Sequence, residues 1–409
     1  MLKSITWEEA RDILLALPAE VQEEIIDADD ALDRVIAEDI RAVFPVPPFD
    51  KSPFDGYAFR GEETSGASPN APAKFRITGE IAAGDMADAF LLPGKAMRIF
   101  TGAPLPHGAD TVIKFELTQT DGETVLIPQI VMPGQNVVRA GEDYAAGALL
   151  ARTGIRLTPS YLGVLASQGI PRMRVYKKPV VSIISTGSEL VQAGMPRPGF
   201  AIYNSSYAMI AGYLRRMGFF VRPSMIVRDD ADLIRELTER EMLSADLVIT
   251  TGGASVGDYD YAVKTAQGLG ADILFWKVQM KPGGAILAAE KDGRLLLSLS
   301  GNPAAAVMGL TIVAQPWLRK LCGLTEFLPE TVSLPLKEPL PKKSPCLRLL
   351  RGHLEIMDGK AFFAENSGRG NGNLSSFEHC DMIGFVPAGS GELPAGTLIK
   401  ACRLAQQVC

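Results

Sequence analysis

Two carboxylates, Asp258 and Asp260, follow directly on a Gly252-Gly253 turn in the stretch ITTGGASVGDYDY. Paired glycines let backbone N–H groups approach an anion closely, which suits a phosphate group. Carboxylates beside such a cradle make chemical sense when a hard divalent cation such as magnesium lies between them and the phosphate oxygens. Asp229, in IVRDD, is a third candidate ligand, and Ser255 sits within the same turn. A plainer use of these residues stands beside this one: Asp258 and Asp260 cap the helix that follows, and TGG is a tight turn. Downstream, WKVQMKPGG places Lys277 and Lys281 four residues apart beside Gly283-Gly284. A phosphate needs such cations, because an exposed helix end contributes only about 0.3 to 1 kcal/mol toward a bound charge. Taken alone, the two lysines read more simply as solvated surface residues.

These groups need a scaffold, and the chain between about residues 178 and 323 predicts one. Apolar runs such as PVVSIIST, ADLVITT and RLLLSLS alternate with helical patterns such as SSYAMIAGYLRRMG and ADLIRELTEREML. Continuous β-branched strands with amphipathic helices between them predict a doubly wound parallel sheet covered on both faces. Ligands of such sheets bind beyond the carboxyl ends of the strands. Three junctions fall there: Thr186, Gly187 and Glu189 follow one strand, Gly252 and Gly253 a second, and Gly301 and Asn302 a third. Pro303 then opens a helix, a position proline suits.

The rest of the chain reads as three further parts. Thr6 and Glu9 have capping-box spacing ahead of an amphipathic helix, and a second helical stretch is expected over about residues 30–39. Prolines 45, 47, 48 and 53 make the next segment an extended, rigid loop. Residues 1–58 and 139–177 form one discontinuous N-terminal helical and linker domain, with helical spacing returning after Pro159. Short β-prone runs separated by Gly, Pro and Asp-Gly turns predict a small inserted β domain over residues 59–138. The α/β domain spans residues 178–326, and a C-terminal β barrel spans residues 327–409.

The 409 residues are 47% hydrophobic and carry a formal net charge of -6, so the chain can bury real cores but has no overall basic field for a polyanion. Nucleic acid is not an expected partner. Nor is a membrane, because no apolar run is long enough to span one. Five cysteines without C-x-x-C spacing and three histidines argue against a disulfide framework or a His/Cys metal cage. The expected setting is a reducing cytoplasm. No G-x-G-x-x-G follows the first strand of the alternating region, which disfavours a dinucleotide-dependent dehydrogenase.

In order along the chain, PPFDKSPFDGYAF, RIFTGAPLPHGADTVIKFE, RAGED, ISTGSEL, YNSSY, TTGGASVGDYDY, KVQMKPG and SGNPAAAV resemble the signature stretches of the MoeA family of molybdopterin molybdenumtransferases, which includes the gephyrin E domain. The resemblance implies an enzyme that takes adenylylated molybdopterin, cleaves its pyrophosphate linkage with release of AMP, and inserts molybdate into the dithiolene with the help of magnesium. It implies an elongated homodimer of four domains, with the site between the α/β domain and loops of the partner subunit, and transfer of product to molybdoenzymes or other cofactor-synthesis proteins. Asp55, Asp143, Glu189, Asp229 and Asp260 match acidic site positions of the family, and Asp258 matches a further acidic one. Thr101 matches a site threonine, and Lys277 and Lys281 match lysines expected to hold phosphate or molybdate. Arg348 and Ser375 or Ser376 look like contacts to the oxyanion. Local roles remain open for some of these residues: Asp55 in a turn, Thr101 in a turn before Pro104, Asp143 as a helix cap, and Arg139 as either an ion-pair partner or a site cation.

Several motifs depart from the family pattern. TGDEL is TGSEL here, KPGKP is KPGGA, LPGNP is LSGNP and SAMDGYA is SPFDGYA, so Ser188 stands for a carboxylate, Gly284 for a lysine and Ser300 for a proline. Loss of one negative and one positive charge together leaves less unpaired charge than either loss alone. Absence of a lysine at Gly284 is expected to weaken phosphate or oxyanion affinity. The departures fit an altered but working enzyme, a tungstate-using paralogue, or a non-catalytic carrier or scaffold that binds the pterin nucleotide.

Overall fold

A computed structural model describes residues 2–86, 90–253, 261–366 and 373–404. The chain divides into two compact units, one of Met1–Glu38, Thr153–Pro159 and Arg172–Cys409, the other of Asp39–Arg152 and Ser160–Pro171.

The first unit is built on an eight-stranded sheet. Its strands run in the order Leu2–Ile5, Asp272–Val278, Ile286–Lys291, Arg294–Leu299, Leu247–Thr251, Val180–Thr186 and Phe220–Val221, with Met225–Val227 also paired to Val180–Thr186. Alternating side chains serve two faces. Val181, Ile183, Leu247, Ile249, Leu295 and Leu297 pack under helices Trp7–Ala16, Ser205–Met217, Pro303–Gly309 and Gln315–Leu321. Ile184, Val248, Leu287 and Leu296 pack under helices Ala231–Met242 and Tyr261–Gly268.

The sheet is mixed, where the sequence predicted a parallel one. Ile286–Lys291 pairs antiparallel with both neighbours, and its turn into Arg294–Leu299 uses Asp292 and Gly293 at φ 52° and 77°. Asp-Gly tolerates this left-handed geometry, which matches the twist of a tight hairpin. The N-terminus also departs from the linker reading. Leu2–Ile5 extends the sheet beside Asp272–Val278, and the capping box forms, with Thr6 N–H donating to Glu9 Oε2 at 2.8 Å and Glu9 N–H donating to Thr6 Oγ1 at 3.2 Å. No helix forms over residues 30–39. Asp33 is left-handed at φ 62°, and Val35 and Ile36 bridge to Arg156 and Val175, so β-branched residues pair there instead of winding.

The C-terminal strands form a six-stranded sheet in which Leu347–Met357 is central and Met280–Lys281 is added as an edge. A bridge between Leu336 and Phe363 joins its two ends into a small barrel, with Leu334, Leu350, Phe363 and Ile399 in its core.

The second unit holds a six-stranded sheet that includes Gly56–Phe59, Ala73–Ile81, Lys95–Ile99 and Thr111–Lys114. Tyr57, Phe59, Phe75 and Ile113 fill one side, and Ala58, Ile81, Met97 and Val112 the other. The helix expected after Pro159 is present as Pro159–Ala166.

Candidate active site

The sheet brings the three junctions to one edge. Ser185 pairs with Thr251, and Thr251 with Leu299, so three strands end side by side. Their last residues change from aliphatic to hydroxylic, and Ser185, Thr186, Thr250, Thr251 and Ser298 are all buried. Thr186 Oγ1 donates to the Thr251 carbonyl at 3.1 Å, and Thr250 Oγ1 to Ser298 Oγ at 2.7 Å.

At this edge lies a cleft of about 210 Å³ lined by Thr186, Gly187, Glu189, Asp229, Gly252, Gly253, Gly301 and Pro303, together with Tyr203, Asn204, Ser205 and Ser206. Gly252 sits at φ 96°, and a Cβ there would meet Thr186 Oγ1 at 2.5 Å, so only glycine lets the turn close over the strand end. Two helices start at the rim. Asn204 caps Ser205–Met217, accepting from Tyr207 N–H at 3.1 Å, and Asn302 caps Pro303–Gly309, accepting from Ala305 N–H at 3.2 Å. Their free N–H groups add positive potential to a site already rich in backbone donors.

Two exposed carboxylates, Glu189 and Asp229, stand in this cleft. The neighbouring acids of IVRDD separate cleanly: Asp230 caps helix Ala231–Met242, accepting from Asp232 and Leu233 N–H at 3.1 Å each, and Asp229 is left for the cleft. Ser188 is tied to Asp229 in both directions, its N–H donating to Asp229 Oδ2 at 3.1 Å and its Oγ accepting from Asp229 N–H at 3.3 Å. A carboxylate at residue 188 would face Asp229 instead. Carboxylate oxygens are hard donors of the type magnesium takes. Among the described residues no group of three or more His, Cys, Asp or Glu gathers to hold a metal. Ser255, Asp258 and Asp260 lie outside the described residues.

Lys281 lines a different cleft of the same unit, about 240 Å³ in volume. It pairs with Arg348 across strands Met280–Lys281 and Leu347–Met357, and Lys342, Lys343, Arg351 and Glu365 complete the charged lining. Arg348 makes an ion pair with Glu365 at 3.4 Å, both side chains largely buried. Burial pushes the Arg351 guanidinium below its usual range, partly offset by Cys380 and Glu365. Ser376 is buried, its hydroxyl donating to the Asn373 carbonyl at 2.6 Å, and Ser375 donates to Asn373 Oδ1 at 2.6 Å, so both hydroxyls hold the turn that Asn373 caps. Ser376 reaches the second cleft indirectly, through its carbonyl on the Asn366 amide at 2.9 Å. Lys277 lines neither cleft; its Nζ lies 4.1 Å from the Trp276 ring centroid, a cation–π contact.

Gly284 has a packing reason that sequence did not reveal. A Cβ there would fall 2.5 Å from the carbonyl oxygens of both Val278 and Met280. A side chain at this position is therefore excluded by backbone, whatever its charge.

In the second unit, Asp55 and Thr101 meet. Thr101 N–H donates to Asp55 Oδ1 at 2.8 Å and its hydroxyl at 2.7 Å, and these two bonds hold the Asp55 carboxyl below the usual carboxylate range. Asp143 is exposed in a turn, its N–H donating to the Val46 carbonyl at 2.9 Å, and no helix follows for it to cap. Arg139 is an ion-pair partner, 2.6 Å from Asp50.

The residues missed from sequence are Tyr203, Asn204 and Ser206 in the first cleft and Lys342, Lys343 and Arg351 in the second. Asn204 had a visible signal, a capping residue before a helical pattern in YNSSY. The lysine doublet between Pro341 and Pro345 carried none that pointed to Lys281.

Residues 182–320, which carry the first cleft, match the family model of the probable molybdopterin binding domain, and this defines the class of the α/β sheet. Residues 5–169 match the MoeA N-terminal region, domains I and II. A molybdopterin molybdenumtransferase of Staphylococcus epidermidis is 32% identical over 395 residues, covering 97% of this chain and 94% of that one. Its counterpart in Staphylococcus aureus is 33% identical over 366 residues, 90% and 87% of the two chains. A molybdopterin biosynthesis MoeA protein from Pyrococcus horikoshii superposes with a TM-score of 0.84 at 26% identity over 98% of this chain and 100% of that one. The chain belongs to the MoeA family of molybdopterin molybdenumtransferases. Among the described residues no helix is long and apolar enough to cross a membrane.

Proposed function

We propose that this chain is a molybdopterin molybdenumtransferase that binds adenylylated molybdopterin and molybdate, hydrolyses the pyrophosphate P–O linkage with water to release AMP, and joins molybdenum to the dithiolene sulfurs as one molybdate oxygen leaves as water with the two thiol protons. The observation that carries this reading is the family match over nearly the whole chain, joined to two anion-suited clefts of different construction in one unit. The first cleft suits the phosphates: Gly252, Gly253 and Gly301 admit oxygens close to backbone N–H groups, and the helix starts behind Asn204 and Asn302 favour negative charge. Glu189 and Asp229, with Asp258 and Asp260, are the proposed holders of magnesium, which when bound supplies charge neutralisation at the phosphate oxygens. Ser188 holds the Asp229 carboxylate in place for that task. Ser255 is proposed to hold phosphate.

The second cleft suits the oxyanion, with Lys281 and Arg348 as its ligands and Ser375 and Ser376 bracing its wall. Asp55, Thr101 and Asp143 belong to the other unit, and we assign them to a site completed across a homodimer. The proposed setting is cytoplasmic, with molybdoenzymes or other cofactor-synthesis proteins as acceptors of the product. Residues 59–138, 178–326 and 327–409 are proposed as finer domains within the two units, whereas residues 1–58 and 139–177 are shared between the units, with 1–38, 153–159 and 172–177 in the one that holds the α/β sheet.

The test is anaerobic turnover of adenylylated molybdopterin with magnesium, comparing AMP release with molybdate, with tungstate and with neither. Oxyanion-dependent AMP release establishes the transferase and its preferred metal. Binding without release, beside an active family member, removes the catalytic reading. Chelation of magnesium should lower the rate and be reversed by adding it back, and the homodimer is checked by sedimentation.

A further inference from the structure

We infer that Lys342 and Lys343 are oxyanion-binding residues of the second cleft and supply there mobile ammonium charge, in a chain whose Gly284 has no room for the lysine of the family pattern. The inference rests on the reading of that cleft as the oxyanion site. Three observations lead to it.

The first is closure at Gly284. Two carbonyl oxygens lie 2.5 Å from where its Cβ would be, so on this backbone no cation can be mounted at that position. Nor is there room to shift the loop toward the helix beside it, because the adjoining Gly283 is itself buried, with its own Cβ position 2.9 Å from the Ala305 carbonyl.

The second is charge. The cleft is lined by five cations, Lys281, Lys342, Lys343, Arg348 and Arg351, against the single carboxylate Glu365. Arg348 is already engaged with Glu365 at 3.4 Å. An unengaged tetrahedral dianion has to be balanced by the groups whose charge is still available, and the exposed lysines are compact charges on flexible stems suited to that.

The third is anchoring. Lys342 and Lys343 sit between Pro341 and Pro345, which restrict the backbone. Ser344 is buried, its N–H donating to the Ser390 carbonyl at 2.9 Å, its carbonyl accepting from Gly389 N–H at 2.7 Å, and its hydroxyl donating to the Cys346 carbonyl at 2.7 Å. The doublet is thus carried on a pinned segment, and less ordering is needed when an anion arrives.

The experiment measures molybdate, tungstate and inorganic phosphate binding to the full chain by calorimetry, without pterin, at two salt concentrations. Lys281→Gln, Lys342→Gln, Lys343→Gln and the Lys342→Gln/Lys343→Gln pair are compared, with thermal unfolding as the check on folding. Expected are a loss of about threefold to fivefold for each single change in the doublet and about tenfold for the pair, with a shallower salt dependence, as screened exposed charges give. If Lys281→Gln weakens binding while the folded double variant binds as tightly as the parent, the inference is overturned and the cleft reading stands. If the parent binds no oxyanion, or Lys281→Gln leaves binding unchanged, the cleft reading fails and this inference falls with it.

Discussion

The two clefts of the first unit reach anion-binding character by opposite routes. At the strand ends, glycine turns, buried hydroxyls and helix starts supply fixed dipoles, and among the described residues the formal charges of the lining are the carboxylates of Glu189 and Asp229. Beside the barrel, five cationic side chains, Lys281, Lys342, Lys343, Arg348 and Arg351, outweigh the single carboxylate Glu365. A dipole site with carboxylates tolerates a phosphate best with a divalent cation present, whereas a lysine and arginine site takes an oxyanion directly. The two should therefore differ in magnesium dependence, in salt sensitivity and in how substitutions damage them. One helix, Pro303–Gly309, serves both, since its start lines the first cleft and its body packs on the loop that follows Lys281.

The most damaging change should be at the dipole site. Gly252→Ala forces a Cβ against Thr186 and a non-glycine residue into φ 96°. A stability loss of about 3 kcal/mol is expected in urea unfolding, together with loss of AMP binding. Wild-type behaviour would show that the turn has another conformation available. At the charge site, Arg348→Met removes the ion pair that Arg348 makes with the largely buried Glu365. Oxyanion affinity should fall about tenfold and stability by about 1 to 3 kcal/mol, with AMP affinity unchanged. Coupled losses of both ligands would dissolve the distinction between the clefts.

A smaller effect is expected at Ser188. Ser188→Ala removes an exposed 3.3 Å bond to the Asp229 N–H and should cost under about 1 kcal/mol while weakening magnesium affinity about threefold. Ser188→Asp would place a like charge beside Asp229, so magnesium should raise its stability more than the parent's in thermal shift. The smallest effect concerns the second unit. Asp55 titrates below its ordinary value because Thr101 donates to its ionised form, so that support is full above about pH 4 and is lost as pH falls through the depressed pKa. Thr101→Ala should move the Asp55 carboxyl resonance midpoint back up toward the ordinary value in an NMR titration. An unmoved midpoint would sink the assignment.

Much of the first cleft was legible because its parts are local. Gly252 and Gly253, Glu189, and the Asn302-Pro303 helix start are each decided by the few residues around them, and a parallel strand places them at a carboxyl end. Asp292-Gly293 signals the hairpin of Ile286–Lys291 and Arg294–Leu299, but the alternation of strands and helices on either side of it points to parallel pairing. At residues 30–39, spacing alone does not separate a short helix from β-branched residues that pair with distant strands. Adjacent acids such as Asp229 and Asp230 are equivalent in sequence, and only the helix that begins at Ala231 tells them apart.

What the sequence determined by itself was the family, the two-faced α/β core, and the glycine turns at the strand ends. All of these follow from apolar periodicity, backbone sterics and motif order. Tertiary structure alone decided that Lys281 belongs with Arg348 and the Lys342-Lys343 doublet, that Ser188 holds Asp229, and that Gly284 has no room for a side chain. These depend on strand register and on which backbone carbonyls close around a loop. The first two contacts join residues tens of positions apart, the third depends on how a short loop folds back on its own carbonyls, and none leaves a periodic trace in the chain.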